Sequence, residues 1–543
     1  MIRSILLIGS ILLNFTALAA SPPDVAMVHF DKPFYVTGEI VWFKLYLPST
    51  FQGKDFSVQL LILNEKGTPI HETFLPTEAK ASCYGYYALP FDLDAGMYSF
   101  WFGARRENGA VDELLRTEVP VFSDLKSLPK GLEINAVQPP PQLDASLPDD
   151  LKVEIQVVGN TPPRSGQPVQ LNIKVTDKNG NPVVAQGSVS VTDAELIGSP
   201  STTARFGASL PAAPNWLSGV FYAGTVSFPD GKPFPAPLLT ALDVETNQLY
   251  FTQSDAKGHF LLQIPVYHGE RRIQIIDHQG ADIKVSLEQP SLPSASQKLV
   301  LTPGILNYLD CSRKRKKIYQ FYSTVEADLQ PQAPDIQPIN WESRYTYRVQ
   351  NYERFVDLAT FFREVIWLVE FLPQKGRNVA TMYNPVQQQE FSNPPLFLLD
   401  GKATFDADFI GRLDPANMQM IDLLNEPKLL RKYFPALGAG GVIRIRTLTG
   451  NQNLPPEQEE DIFTLPGLTA PAIFPFKTPN STTPSLAPLL CWEPTLVTDK
   501  QGIATLNYYQ NDDLSTFCVT VLVQGSDGRR GYGRFCYTVK SRL

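Results

Sequence analysis

The chain is poor in the residues from which specialised sites are built. Cysteine and histidine occur five times each in 543 residues, too few cysteines for a disulfide scaffold. His29, His71, His259, His268 and His278 include no pair at the His-Glu-x-x-His spacing of a zinc site. Gly-x-Ser-x-Gly and Cys-x-x-Cys are both missing, which removes the familiar nucleophile and redox patterns. Basic excess is missing too: 47 Lys and Arg stand against 55 Asp and Glu, for a net charge of −8. Nucleic acid is therefore not expected as a partner, because phosphate binding needs a basic face. No apolar run beyond the first twenty residues approaches the ~18 residues of a membrane-spanning helix.

What is present is proline, 47 of them, with many turn dipeptides and short β-rich runs, so the fold class is predicted to be mainly β. The length implies several domains. Residues 1–19 combine Arg3, a short apolar stretch and Ala17-Leu18-Ala19, the pattern of a secretory signal peptide cut after Ala19. An exported protein, in the periplasm or at the cell surface, is expected. No cofactor or metal is expected.

From 24 to 125 short runs such as Val41-Trp42-Phe43-Lys44-Leu45 and Ser57-Val58-Gln59-Leu60 alternate with turns, predicting an antiparallel β-sandwich. Residues 150–198 repeat the pattern more weakly and predict a second β-region. Pro139-Pro140-Pro141 and Leu147-Pro148-Asp149-Asp150 between them read as an extended linker. Residues 198–214 show no periodicity. Residues 215–290 predict a smaller sandwich, residues 341–450 a small α+β domain, residues 451–489 an exposed linker, and residues 490–543 a C-terminal β-region.

Within 341–450, the spacing of Phe355, Leu358, Phe361, Phe362, Ile366, Val369 and Phe371 predicts a helix over 352–372. Strands are predicted at 396–399, 418–424 and 441–447, with a tight turn at Asp400-Gly401. Gly438-Ala439-Gly440-Gly441 lacks the lysine and helix that follow in a phosphate-binding loop, so its role is read as structural.

Three resemblances rest on these residues. Asp31-Lys32-Pro33-Phe34-Tyr35-Val36-Thr37-Gly38-Glu39 resembles the opening of a macroglobulin domain of the α2-macroglobulin family, and Trp492-Glu493-Pro494 leading to Asp499-Lys500-Gln501-Gly502 is similar to macroglobulin-family sequence. The two turns of 217–287 resemble the carboxypeptidase-regulatory-like sandwich, which carries no peptidase chemistry. Pro394-Pro395-Leu396-Phe397-Leu398-Leu399-Asp400-Gly401, the 413–424 run and Gly441-Val442-Ile443-Arg444-Ile445-Arg446-Thr447 resemble the plug of TonB-dependent outer-membrane receptors. Only 96 residues follow Thr447 (543 − 447), against the roughly 22 strands of such a receptor's barrel. Together the resemblances imply a non-catalytic accessory or scaffold subunit of an outer-membrane complex in a Gram-negative envelope. Its partner would be an outer-membrane β-barrel protein, with membrane association through that partner. Transport, secretion and outer-membrane protein assembly all suit this reading, and no TonB-contacting box is seen.

Two other readings come from different classes. The sandwiches admit a macroglobulin-like protease-binding protein, without a thioester because Cys491-Trp492-Glu493-Pro494 lacks the needed glycine and glutamine. A hydrolase would need a hidden site around His259, His268 and Asp277, residues more simply read as structural.

Two further groups have expected roles. Cys518 and Cys536 lie equally far from Asp527, beside the Asp527-Gly528 turn, so a hairpin there sets them face to face for a disulfide. Cys491 is the rival partner, and Cys83 and Cys311 read as small buried hydrophobes. The run Arg313-Lys314-Arg315-Lys316-Lys317 reads either as a solvated helix face or as a contact for an anionic partner or lipid headgroup.

Overall fold

A computed structural model of the chain describes residues 25–126, 133–134, 149–159, 163–197, 204–209, 215–288, 292–322, 338–339, 341, 343–470, 472–475 and 484–541. The expected signal peptide and the triple-proline linker lie outside the described residues. The chain is mainly β, arranged as three sandwiches and one α+β domain. No helix among the described residues is long and apolar enough to cross a membrane.

The first sandwich stacks two sheets. One carries Val25–Phe30, Ile40–Tyr46 and Ser82–Ala88; the other carries Tyr35–Val36, Val111–Phe122, Gly96–Arg105, Ser57–Leu63 and Pro69–Pro76. Between them Phe43, Phe100 and Phe102 pack edge to face, all fully buried, a geometry that favours aromatic quadrupoles beyond the area they hide. The aperiodic 198–214 stretch proves to hold a strand, Ala204–Ser209, which pairs antiparallel with Val25–Phe30. Backbone hydrogen bonding alone suffices for an edge strand, so no alternation marked it in the sequence.

The second sandwich corrects the expected domain plan. The β-regions of 150–198 and 490–543 are two halves of one body. One sheet joins Leu151–Val157 and Pro168–Asp177 to Ile503–Tyr509; the other runs in the order Leu489–Val497, Ala185–Asp193, Thr516–Gly525, Arg530–Thr538. Each half shows the period-two pattern of a sheet buried on one face: Val169, Leu171, Ile173 and Val175 point inward from one strand, Ala504, Leu506 and Tyr508 from another. Neither half has enough inner surface to close alone. Val191 from the first half and Phe517, Val519 and Val521 from the second are fully buried in one shared core, at about 1.5–3 kcal/mol for each large side chain.

Residues between these halves form the rest of the molecule. The third sandwich sets Val220–Ser227, His259–Ile264 and Lys284–Leu287 against Leu249–Thr252, Leu239–Asp243, Glu270–Asp277 and Ile462–Pro466. Its last strand comes from the stretch expected to be an exposed linker. Leu465 and Leu468 are buried in the core of this sandwich, so the Pro- and Thr-rich composition around them masked a short edge strand.

In the α+β domain a five-stranded sheet runs Tyr345–Arg348, Met418–Leu424, Val442–Thr447, Leu396–Leu399, Lys402–Thr404. Asp400 and Gly401 both take positive φ in its hairpin turn. The predicted helix is shorter than its periodicity: only Leu358–Val365 is helical, capped by Asp357 accepting from the Thr360 N–H. Residues 369–374 form a strand in which Val369 and Phe371 point inward while Glu370 and Leu372 point out. A period of two overlaps a period of three to four over so short a run, which is why the helix reading extended too far.

The first and second sandwiches meet across a buried polar seam. The outer face of Val25–Phe30 and Ile40–Tyr46 presents His29, Lys44 and Tyr46 to the central strand Ala185–Asp193 and its neighbours. His29 Nδ1 lies 2.7 Å from Ser188 Oγ, which also bonds Tyr46 Oη at 2.7 Å. Gln524 donates to the Leu47 carbonyl and Arg530 to the Val25 carbonyl. Burial, helped by the Lys44 cation, lowers the His29 imidazole from 6.5 to about 3, so the fold needs it neutral. The unfolded chain gains the proton below about pH 6.5; the stability held above that value is lost as pH falls toward 3. His71, lowered to about 4 by burial, adds a second share. The expected outcome is that His29→Gln, measured by urea unfolding from pH 7 to pH 4, shows an acid limb shallower by on the order of 1.4 kcal/mol per pH unit. Identical slopes in the two proteins would show that the seam does not hold the proton off.

Candidate functional site

The macroglobulin-like segment near the N-terminus resolves into a buried charge cluster. Pro33 and the Thr37-Gly38 turn, with Gly38 at φ +86°, fold the segment back so that Lys32 and Glu39 meet at 2.7 Å, with side chains 4% and 5% exposed. Glu39 Oε2 also accepts from the Val36 N–H, and Asp31 Oδ1 accepts from the Trp42 N–H and from Tyr35 Oη. The long helix Pro303–Phe321 then delivers Tyr308, whose hydroxyl donates to Glu39 Oε1 at 2.6 Å, and Arg315, 3.6 Å from the same oxygen. Burial alone would raise the Glu39 carboxyl; Lys32, Arg315 and the hydrogen bonds from Lys32 and Tyr308 outweigh it and hold Glu39 below its ordinary value.

This places the basic run. Arg315 is buried against Glu39, Lys316 bonds Asp124 at 2.8 Å and the Thr37 carbonyl, and Arg313 donates to the Asp124 carbonyl. Lys314 pairs with Asp310 one turn earlier on the helix, and Lys317 is exposed. Two members of the run are therefore committed internally: helical spacing turns Arg315 and Lys316 inward, where they fasten the helix to the first sandwich, while Arg313, Lys314 and Lys317 remain on its exposed face. The sequence reading missed their partners because Glu39 and Asp124 lie far away along the chain.

Cys518 and Cys536 are opposite each other in the ladder and joined by a disulfide. Cys83 and Cys491 are free and buried, and Cys311 is free and half-buried. His259, His268 and Asp277 do not share a site. His259 is exposed beside Asp255, Asp277 accepts from the N–H groups of its own turn, and His268 lines a different cavity from His259. No group of three or more metal-ligating side chains is brought together among the described residues. Gly441 takes φ +93°, and a Cβ there would lie 2.1 Å from Met382 Sδ, which fits the structural role read for that glycine run. Arg444 and Arg446, alternating with isoleucines in Val442–Thr447, both bond Asp422 on the neighbouring strand.

One surface was not singled out from sequence. The hairpin Val369–Gln374 and Arg377–Asn384 covers the α+β core with one face and leaves the other bare. On the outer face Leu372 sits opposite Val379 and Glu370 opposite Thr381. Trp367, 71% exposed, lies over Tyr383 with ring centroids 6.0 Å apart, and Val386 beside the hairpin is 74% exposed. A groove of about 310 Å³ runs under Trp367 between Arg363, Glu370, Thr381, Tyr383 and Glu390. The alternation of 369–374, read at period two, is the signal that would have exposed it.

No protein-family model and no curated protein sequence matches the chain. Among solved structures it is similar to Salmonella alpha-2-macroglobulin reacted with methylamine, at 9% identity over 96% of this chain and 40% of that one, with a TM-score of 0.24. It is similar to Escherichia coli alpha-2-macroglobulin activated by porcine elastase at 10% identity, over 95% and 44% of the two chains, with a TM-score of 0.25. The native conformation of the Escherichia coli protein gives 9%, 97%, 40% and 0.24. The chain thus spans about two-fifths of the length of these bacterial macroglobulins. Similarity this distant carries no inference about activity, and the fold of the present chain rests on its own strand pairing.

The charge cluster generates a stability prediction. Glu39→Gln takes away the carboxylate that Lys32 and Arg315 share, at a cost of about 3–5 kcal/mol, whereas the double replacement Lys32→Met, Glu39→Gln also removes the lysine that depends on it and costs less. Urea unfolding followed by tryptophan fluorescence measures both. A single variant as stable as the parent would mean that the cluster does not hold the helix.

Proposed function

We propose that the chain is a non-catalytic accessory or scaffold subunit of an outer-membrane protein complex in a Gram-negative envelope, exported to the periplasm or the cell surface. Its partner in this reading is an outer-membrane β-barrel protein, and membrane association runs through that partner. The observation that carries the reading is the bare apolar face on the α+β domain, the part of the chain that resembles a receptor plug. Trp367, Leu372, Val379 and Val386 stand in solvent there, on a sheet that is otherwise well packed. A contiguous apolar surface on a stable domain is characteristic of a protein contact, and Trp and Tyr are the side chains that most often anchor one. The plug-like and carboxypeptidase-regulatory-like assignments belong to this proposal and rest on the sequence motifs that suggested them. The rest of the molecule suits a scaffold: Tyr46 and Lys44 bond the first sandwich to the second, Thr73 donates from the first to the Gly467 carbonyl beside the third, and Gln274 of the third donates to the Ala403 carbonyl of the α+β domain.

Tagged chain purified from detergent-solubilised outer membranes of the source bacterium is expected to bring down a barrel protein, recognised by its heat-dependent electrophoretic mobility. Trp367→Glu with Leu372→Glu should reduce that recovery by at least about tenfold, while the melting temperature stays unchanged because both side chains are exposed. Recovery of the parent chain as a free monomer in the soluble periplasm would overturn the proposal.

A further inference from the structure

The second sandwich leaves one long sheet edge open. Ile503–Tyr509, an outer strand of its three-stranded sheet, reads Ile-Ala-Thr-Leu-Asn-Tyr-Tyr, without a charge, a proline or a glycine. Other long edges are guarded by the devices that keep stray strands from pairing. Leu151–Val157 carries Lys152 and Glu154, Pro69–Pro76 has a proline at each end, Leu489–Val497 contains Pro494, and Arg530–Thr538 carries Arg530 and Arg534. His259–Ile264 is capped along its edge by Thr252, whose hydroxyl donates to the Leu261 carbonyl. Ile503–Tyr509 has no such guard.

The ladder fixes which backbone groups of this strand are free. On one side of Pro168–Asp177 the Val158 N–H donates to the Gln170 carbonyl, and on the other the Val175 N–H donates to the Gly502 carbonyl. Antiparallel bonding alternates along a strand, so Val169, Leu171 and Ile173 bond toward their opposites Tyr508, Leu506 and Ala504. Ile503, Thr505, Asn507 and Tyr509 therefore aim N–H and C=O away from the sheet. Ile503 uses both on the preceding turn, accepting from the Asp499 N–H and donating to the Asp499 carboxylate. The main-chain groups of Thr505, Asn507 and Tyr509 have no partner among the described residues, and all three residues are exposed.

We infer that this edge pairs antiparallel with the same edge of a second copy of the chain, with Asn507 on the twofold axis. In that register each free residue meets a free residue: Thr505 faces Tyr509 of the second copy, and Asn507 faces its own equivalent, each pair exchanging two N–H···O bonds. Moving the axis to Leu506 would set Tyr509 against Ile503, whose groups are already used. The side chains agree with the register. A Thr–Tyr pair on either side of an amide pair brings no charge against a like charge. This is the self-complementarity that a twofold interface requires, and it favours a second copy over an unrelated strand. The edge belongs to the second sandwich and does not include the Trp367 face, so the inference is independent of the proposed barrel partner.

Cross-linking of the full chain tests the register. Across a hydrogen-bonded pair the Cα atoms stand about 5.5 Å apart, a spacing that a disulfide accepts. Mild oxidation of Asn507→Cys is therefore expected to give a disulfide-linked dimer on a non-reducing gel. Asn172→Cys is the control, because Asn172 lies on the neighbouring strand and is also exposed. Its two copies would be at least three strand spacings apart, about 14 Å, so it should remain monomeric. The parent chain, with Cys83 and Cys491 buried and Cys311 half-buried, reports any linkage through native thiols.

Analytical ultracentrifugation over a concentration series measures the affinity. One strand pair is smaller than the roughly 1,200 Å² of a stable interface, so a weak dimer that fills as concentration rises is expected. Asn507→Lys sets two ammonium groups face to face and should weaken the dimer by about fivefold, with an unchanged melting temperature because the site is exposed. An equal mixture of Asn507→Lys and Asn507→Asp should restore it. The inference is overturned if Asn507→Cys links no faster than Asn172→Cys, if the parent stays monomeric at every concentration, if Asn507→Lys dimerises like the parent, or if the mixture associates no better than Asn507→Lys alone.

Discussion

The arrangement depends on one closure. The central strand Ala185–Asp193 has its partners on both sides, Leu489–Val497 and Thr516–Gly525, in the last part of the chain, and the Ala185 N–H bonds Thr498 across a separation of 313 residues. Everything between must leave from one end of this strand and return beside it. Loop-closure entropy grows only slowly with length, so an insertion of this size costs little more than a short one. What it demands is geometry. The inserted third sandwich and α+β domain must bring their ends back to the same sheet. They do so partly by lending strands outward: Ala204–Ser209 completes a sheet of the first sandwich, and Ile462–Pro466 completes one of the third.

A second tie runs through Glu39. It gathers Lys32, Tyr308 and Arg315 into one buried cluster and couples the start of the chain to a helix nearly three hundred residues later. Buried ion pairs are weak evidence of net stability and stronger evidence of a single register. Only one rotation of the helix places Tyr308, Ser312 and Arg315 together against Glu39 and Asp124. The motif that suggested a family from sequence acts here as a lock between elements, and the positive run that suggested an outside partner is the other half of that lock.

Local signals in the sequence carried well and non-local ones did not. Period-two runs such as Val169, Leu171, Ile173, Val175 marked strands because burial of one face writes itself into consecutive residues. The Asp400-Gly401 turn and the strands at 396–399 and 418–424 were legible for the same reason, as was the pairing of Cys518 with Cys536 about a turn nine residues from each. The union of the two halves of the second sandwich was not, because nothing within either half specifies a partner three hundred positions away. The edge strands at 204–209 and 462–466 were hidden by being short and backbone-driven. At the candidate sites the partners of Arg315 and Lys316 were not legible, because Glu39 and Asp124 lie far away along the chain and meet the helix only in the packed molecule.

The second sandwich also sets the order in which the protein can mature. A ribosome delivers the N-terminal half of that sandwich roughly 290 residues before the rest, which at 5–20 residues per second is a wait of about 15–60 s. During it Ala185–Asp193 has both edges unsatisfied, a template for pairing with a stranger. The first sandwich can form once Ala204–Ser209 has followed and gives that waiting sheet a neighbour through Ser188, so early docking of those two surfaces shields the nascent chain until its final strands arrive.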